Sequence, residues 1–84
     1  MSDTLTIKLP KEIAFGDRVI SEITLSEPNV GQIDDALKGN ASVFVQTIRL
    51  VSAVADVPEA MVRKLPISVF QKATEFFEDF SKAE

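Results

Sequence analysis

Strict alternation of apolar and polar residues opens the chain and predicts a β-strand over Thr4–Leu9. Its buried face would carry Leu5, Ile7 and Leu9. Pro10 has no backbone N–H, so it either ends this strand or lies on a sheet edge.

A second strand is predicted over Val19–Leu25, after a turn signal at Gly16 and Asp17. Three residues would form its apolar face: Val19, Ile23 and Leu25. Together the two strands predict an N-terminal β-hairpin over about residues 4–25, with a long or bulged connection.

From about residue 29 to residue 82 the apolar spacing changes to the three- and four-residue intervals of helices. Asn29 and Gln32 form a capping box at the start of a short helix over Val30–Lys38. We expect this helix to bury Val30, Ile33 and Leu37, and Gly39 then ends it.

A longer helix is predicted over Ala41–Ala55, capped by Asn40 or Ser42. Its apolar residues cover most of the helix circumference, which is typical of a central helix buried on several sides. Because Val and Ile are frequent here, a strand is the alternative. The length and a narrow polar stripe favour the helix; the stripe comprises Ser42, Gln46, Arg49 and Asp56.

Two more helices complete the prediction. A short one spans about Pro58–Lys64 and turns Met61, Val62 and Leu65 inward, and Pro66 stops it. The last begins at Ile67 or Ser68 and ends at Lys82, with Ser68 and Gln71 as a candidate cap. Its apolar stripe comprises Val69, Phe70, Ala73, Phe76, Phe77 and Phe80. The fold class is therefore α+β: a β-hairpin followed by a bundle of about four helices, two short and two longer, in one domain over residues 1–84.

The amino-acid composition limits the kinds of catalytic and metal-binding site that the chain can form. The 84 residues include no Cys and no His, which removes thiolate and imidazole nucleophiles, bases and metal ligands. Asp34 and Asp35, the adjacent acidic pair, do not converge, because neighbours point about 100° apart on a helix. Glu75, Glu78 and Asp79 can lie side by side, but Lys72 and Lys82 flank them, which favours a solvated, partly paired helix face. We therefore predict no catalytic, cofactor-binding or metal-ligating residue and no enzyme activity, although an enzyme built on Ser, Lys and carboxylates stays an alternative.

The formal charge of −4 disfavours partners that need a basic face, so we expect neither nucleic-acid nor membrane binding. No apolar run reaches the roughly 20 residues that span a bilayer. The first four residues lack the basic and apolar regions of a signal peptide, so we expect a cytoplasmic protein.

The phenylalanines of the last helix are the candidate interaction residues. Phe76, Phe77 and Phe80 together present more apolar surface than so small a core would be expected to cover. They predict a partner-binding site, or alternatively a self-association site, which leaves a homo-oligomer open.

Three segments of the chain form a recognisable combination: the hairpin with Thr6–Pro10 and Ile23–Leu25, the stretch Ser26–Ile33, and the stretch Val54–Glu59 followed by Leu65, Pro66 and Phe70. Together they resemble the tail assembly chaperone family of Mu-like contractile-tailed phages and prophages. The resemblance covers nearly the whole chain in order and length.

The resemblance implies a non-catalytic function in virion morphogenesis. Such a protein binds the tape measure protein, keeps it soluble in the host cytoplasm, helps to recruit the tail tube protein and is absent from the finished virion. From the residues alone, a small acidic adaptor or inhibitor of another protein remains the alternative.

Overall fold

The computed structural model describes residues 4–82. Across this part of the chain two antiparallel strands are followed by four α-helices. The strands are β1 (Leu5–Phe15) and β2 (Arg18–Leu25). The helices are α1 (Val30–Leu37), α2 (Val43–Ala55), α3 (Glu59–Val62) and α4 (Ile67–Lys82). The predicted α+β architecture, a hairpin followed by two short and two longer helices, is confirmed.

The hairpin has the predicted extent, but its first strand is longer than predicted because β1 continues through Pro10. Strand pairing runs from Leu5 opposite Leu25 to Lys8 opposite Glu22, and it resumes at Ile13 opposite Ile20. Pro10 lies in the irregular stretch between those two paired regions, where its missing N–H breaks no regular ladder. The expected bulge therefore lies inside β1, and the turn itself is tight, with Gly16 at a φ of 61°.

The predicted burial of one β2 residue, Val19, is wrong. Ile23 and Leu25 are buried, but Val19 is exposed and Ile20 packs partly against the core. The register shift opposite Ser21 separates the two halves of β2, so the alternation that holds at Leu25 is not continued at Val19.

The core lies between one face of the hairpin and helices α2, α3 and α4. The hairpin contributes Ile7, Ile23 and Leu25, and α2 contributes Ile48 and Val51. The remaining core residues are Val57, Met61, Val62, Val69, Phe70, Ala73 and Phe77. As predicted, α2 is central, because it packs against α1, α3 and β2.

Helix α1 forms as predicted, but it buries a different residue. The Asn29 side-chain oxygen accepts from the Gln32 amide at 2.8 Å, and the Asn29 amide donates to Gln32 Oε1 at 3.0 Å, which confirms the capping box. The predicted burial of Val30, Ile33 and Leu37 is wrong: all three are exposed, and Ala36 is the buried residue. The small Ala36 side chain lets α1 lie close to α2, which turns the larger residues away from the core.

The bounds of the other helices differ slightly from the prediction. Ser42, rather than Asn40, caps α2 by accepting from the Val45 amide at 3.2 Å. Helix α3 is shorter than predicted and begins after Pro58. Since α4 already begins at Ile67, Ser68 lies inside the helix and is not its cap. The carbonyl of Pro66 accepts the first helical amides instead, at 3.0 and 3.1 Å.

Arg49 attaches the end of α1 to α2. Its Nη1 donates to the carbonyl oxygens of Ala36 at 3.2 Å and Lys38 at 2.7 Å. These carbonyls lie at the C-terminal end of α1, where helical partners run out and a cation is favoured. Arg49, a residue of the polar stripe of α2, thus anchors α1, a helix that itself buries little apolar surface.

Replacing Val51 by Ala should lower the free energy of unfolding by about 2 kcal/mol, because Val51 is completely buried and the lost methyl groups leave a cavity. For a domain of this size the melting temperature would fall by roughly 10 °C, measured by circular dichroism. Val43→Ala is the matched control on the same helix, since Val43 is exposed and its loss should change stability little. Equal losses in the two variants would contradict the assigned core.

Replacing Arg49 by Met should loosen α1 selectively. Loss of both charge-assisted hydrogen bonds should reduce amide hydrogen-exchange protection in α1 by about tenfold, while the amides of α4 keep theirs. Arg63→Met is the control, since Arg63 is exposed and makes no contact with α1 among the interactions described. An equal loss of protection in α1 and α4 would show that Arg49 supports the whole fold rather than α1.

Candidate interaction surface

A groove of about 550 Å³ lies between α1, the first half of α2 and the second half of α4. We call it the α1 groove. Its large apolar side chains are Val30, Ile33, Leu37, Val43, Leu50 and Phe77. Val30, Ile33 and Leu37, which the sequence assigned to the core, therefore form one wall of this groove.

Two valines of the α1 groove are unusually open to solvent. Val30 is 84% exposed and Val43 is 73% exposed. Each is the first residue of its helix, directly after a polar cap, so the caps fix the backbone without burying the valines. A contiguous exposed apolar surface on a small protein marks an interaction site more often than isolated exposed residues do.

The polar side chains inside the α1 groove bond to their own backbone. Gln46 Nε2 donates to the Ala41 carbonyl at 2.8 Å, and Thr47 Oγ1 donates to the Val43 carbonyl at 3.0 Å. On α4, Thr74 Oγ1 donates to the Phe70 carbonyl at 3.0 Å. Each of these side chains therefore already has a backbone partner within its own helix or just before it.

Charge at the α1 groove has one sign. The charged residues of its lining are Glu27, just before α1, and Glu78 on α4, and both are exposed. Carboxylates at the rim of an apolar recess favour an apolar partner that carries Lys or Arg beside its apolar stripe.

A second recess, of about 170 Å³, lies where α2 and α4 begin. We call it the Phe44 pocket; its lining includes Phe44, Arg63, Leu65, Ile67 and Phe70. The Phe44 and Phe70 rings pack with their centroids 4.9 Å apart. Phe44 is nevertheless 55% exposed and Ile67 is 62% exposed, so this recess is also open and apolar.

The predicted interaction residues lie at different depths. Phe77 is only 8% exposed; it belongs to the core and also lines the floor of the α1 groove. Phe76 is half-buried against the core, with its ring centroid 5.7 Å from that of Phe77. The side chain of Phe80 lies outside the described residues. That these phenylalanines contact a partner stays a prediction.

Sequence reasoning missed the exposure of four apolar residues that line the two recesses, Val30, Val43, Phe44 and Ile67. Helical spacing places such residues on one stripe but does not say whether another element covers that stripe. Their positions in the helices gave one signal. Val30, Val43 and Ile67 are each the first residue of a helix, and Phe44 directly follows Val43; polar residues are usual at such helix starts.

Other kinds of site find little support in residues 4–82. Within that range no group of three or more Asp and Glu side chains could hold a metal ion, and no helix is long and apolar enough to cross a membrane. Asp35 of the acidic pair bonds to Lys38 Nζ at 3.1 Å. This hydrogen bond, with the nearby negative charge, raises the pKa of Lys38. The Asp35–Lys38 ion pair therefore lies at the exposed C-terminal end of α1.

Comparison with known proteins identifies the family. Residues 6–82 match the family described as "Phage tail assembly chaperone proteins, E, or 41 or 14". Neither the curated proteins nor the solved structures include a significant match to the chain. The family match spans both strands and all four helices of the described chain, including both apolar recesses. This chain, with its exposed apolar surface, belongs to the phage tail assembly chaperones.

Proposed function

We propose that this chaperone binds the tape measure protein in the host cytoplasm, before the tail tube polymerises around it. The observation that carries the proposal is the α1 groove, an apolar surface kept open on a member of a tail assembly chaperone family. Its action is binding alone, without catalysis, and it leaves before the virion is complete. The tail tube protein is the second partner under this proposal.

The proposed occupant of the α1 groove is an amphipathic helical segment. Helix-in-groove recognition places an apolar face into a groove between helices, as the walls formed by α1, α2 and α4 allow. A long helical protein with an apolar stripe would aggregate when unassembled, because the stripe is exposed to water. Covering part of that stripe with a chain of net charge −4 would make the complex more soluble.

A double variant, Val30→Glu with Val43→Glu, should abolish this chaperoning without unfolding the protein. Both residues are exposed and both are the first residue of a helix, where a carboxylate interacts favourably with the helix dipole. The two new charges lie in the apolar groove, so binding an apolar stripe there would bury them unpaired. We expect the soluble fraction of the co-expressed cognate tape measure protein to fall several-fold.

Val19→Glu is the matched control, because Val19 is exposed on β2 and does not line the groove. It should preserve the soluble fraction, and thermal melts should show both variants folded. If the double variant keeps the tape measure protein as soluble as the wild type does, the groove is not the chaperoning site. If the wild-type protein itself has no effect on that solubility, the proposed function is wrong.

A further inference from the structure

The Phe44 pocket is separate from the α1 groove. The two recesses share no lining residue. Val43 lines the groove and Phe44 lines the pocket, and these neighbours point about 100° apart around α2. Val51, which projects between these two directions on the same helix, is completely buried. A partner segment held in the groove therefore does not by itself fill the pocket.

The Phe44 pocket combines buried residues with exposed apolar ones. Ile48, Val62 and Phe70 belong to the core, so their positions are fixed by packing. Phe44 is 55% exposed and Ile67 is 62% exposed. Filling the pocket would cover apolar surface that faces water, on a site whose buried side is already ordered.

The volume of the Phe44 pocket, about 170 Å³, suits a single side chain. A cavity of about 150 Å³ admits a benzene ring, whereas sites for whole small ligands usually measure about 300–1,000 Å³. Among the described residues that line the pocket, every one except Arg63 is apolar. One bulky apolar side chain, such as Phe or Leu, is therefore the fitting occupant.

Arg63 gives the Phe44 pocket a charge opposite to that of the α1 groove. Its side chain is exposed and forms no ion pair with another residue in the described range 4–82. The next residue, Lys64, is already engaged: its Nζ donates to the Ala14 carbonyl at 3.3 Å and lies 5.7 Å from the centroid of the Phe15 ring. The Arg63 guanidinium is therefore available to a carboxylate, which it can bind through two parallel hydrogen bonds.

We propose that the Phe44 pocket is a second binding site, which takes one bulky apolar side chain from an acidic protein segment. A carboxylate beside that side chain, from Asp or Glu, pairs with Arg63. The inference goes beyond the proposed function and does not depend on it, because different residues line the groove and the pocket. The chain can then hold two partner segments of opposite charge, a basic one in the groove and an acidic one in the pocket.

A second copy of this chain is a poorer occupant of the Phe44 pocket. Each copy carries a net charge of −4, so two copies repel each other. A pocket for one side chain also buries far less than the roughly 1,200 Å² of a stable interface. Binding through a single apolar anchor is weak, which suits a partner that is captured and then released.

Three capped peptides of about eight residues test the charge preference. Each carries one central phenylalanine, flanked on both sides by glutamates, by glutamines or by lysines. NMR amide shifts of the isotope-labelled protein, recorded near 0.15 M salt, give the site and the affinity, and a Debye length of about 8 Å then screens distant charges. We expect shifts at Phe44, Arg63 and Ile67, and the glutamate peptide should bind about two- to fivefold more tightly than the glutamine peptide. The net charge of −4 would by itself favour the opposite order.

Two matched pairs of variants identify the groups responsible. Arg63→Gln should remove the preference for the glutamate peptide, whereas Lys8→Gln should keep it, because Lys8 is exposed, carries the same charge and lines neither recess. Ile67→Ser should weaken binding of that peptide about fivefold through lost apolar contact. Val43→Ser should not, because Val43 is likewise an exposed first residue of a helix but lines the groove. Thermal melts check that all four variants are folded.

Four results of the peptide experiment would overturn the inference: no shift around the pocket at millimolar peptide, shifts confined to the α1 groove, equal binding of the glutamate and lysine peptides, or a preference that Arg63→Gln leaves unchanged. A dimer in sedimentation that Ile67→Ser dissociates would also overturn it, since a second copy would then fill the pocket. The solubility experiment with Val30→Glu and Val43→Glu is independent of these results, so the proposed function would stand without the second site.

Discussion

The apolar stripe of α4 is the interaction on which the rest of the structure depends. Val69, Phe70, Ala73 and Phe77 are all buried, and they pack with residues of the hairpin, α2 and α3 in one core. No other described element supplies two aromatic rings to that core. Because Phe70 and Phe77 also line the two recesses, the packing that stabilises the fold also shapes those recesses.

This arrangement explains why exposed apolar residues are tolerated on so small a protein. Leaving a valine or phenylalanine side chain in water forgoes about 1.5–3 kcal/mol of burial for each residue. Helix α1 forgoes such burial at several positions and depends instead on its capping box, on Ala36 and on the two hydrogen bonds from Arg49. Polar interactions at both ends of α1 thus keep the helix in place while its apolar face stays exposed to solvent.

The sequence predicted those features that depend on local chemistry. The capping box at Asn29 and Gln32 and the alternation at Ile7 are set by nearby residues, and the structure confirms them. It also confirms the α4 stripe at its buried members, Val69, Phe70, Ala73 and Phe77. The burial of Val30, Ile33 and Leu37 was wrong because periodicity defines a face but not its neighbour. A bulge was expected, but its effect on Val19 was missed, because the position of a bulge is set by strand pairing and is not visible in one strand alone. The open surface follows from how α1 rests on α2, which only the tertiary structure shows.

The rigidity of the walls bears on how such a surface would recognise a partner. A bound helix loses less free energy to ordering when the receiving surface is already ordered. Here the valines most exposed in the α1 groove sit on capped first turns, and the floor residue Phe77 is locked in the core. Exposed charges at the rim add little affinity individually, but they discriminate between partners, since a segment with Asp or Glu beside its apolar stripe would meet like charges at Glu27 and Glu78. The apolar floor would thus supply the attraction, and the rim charges would select the partner.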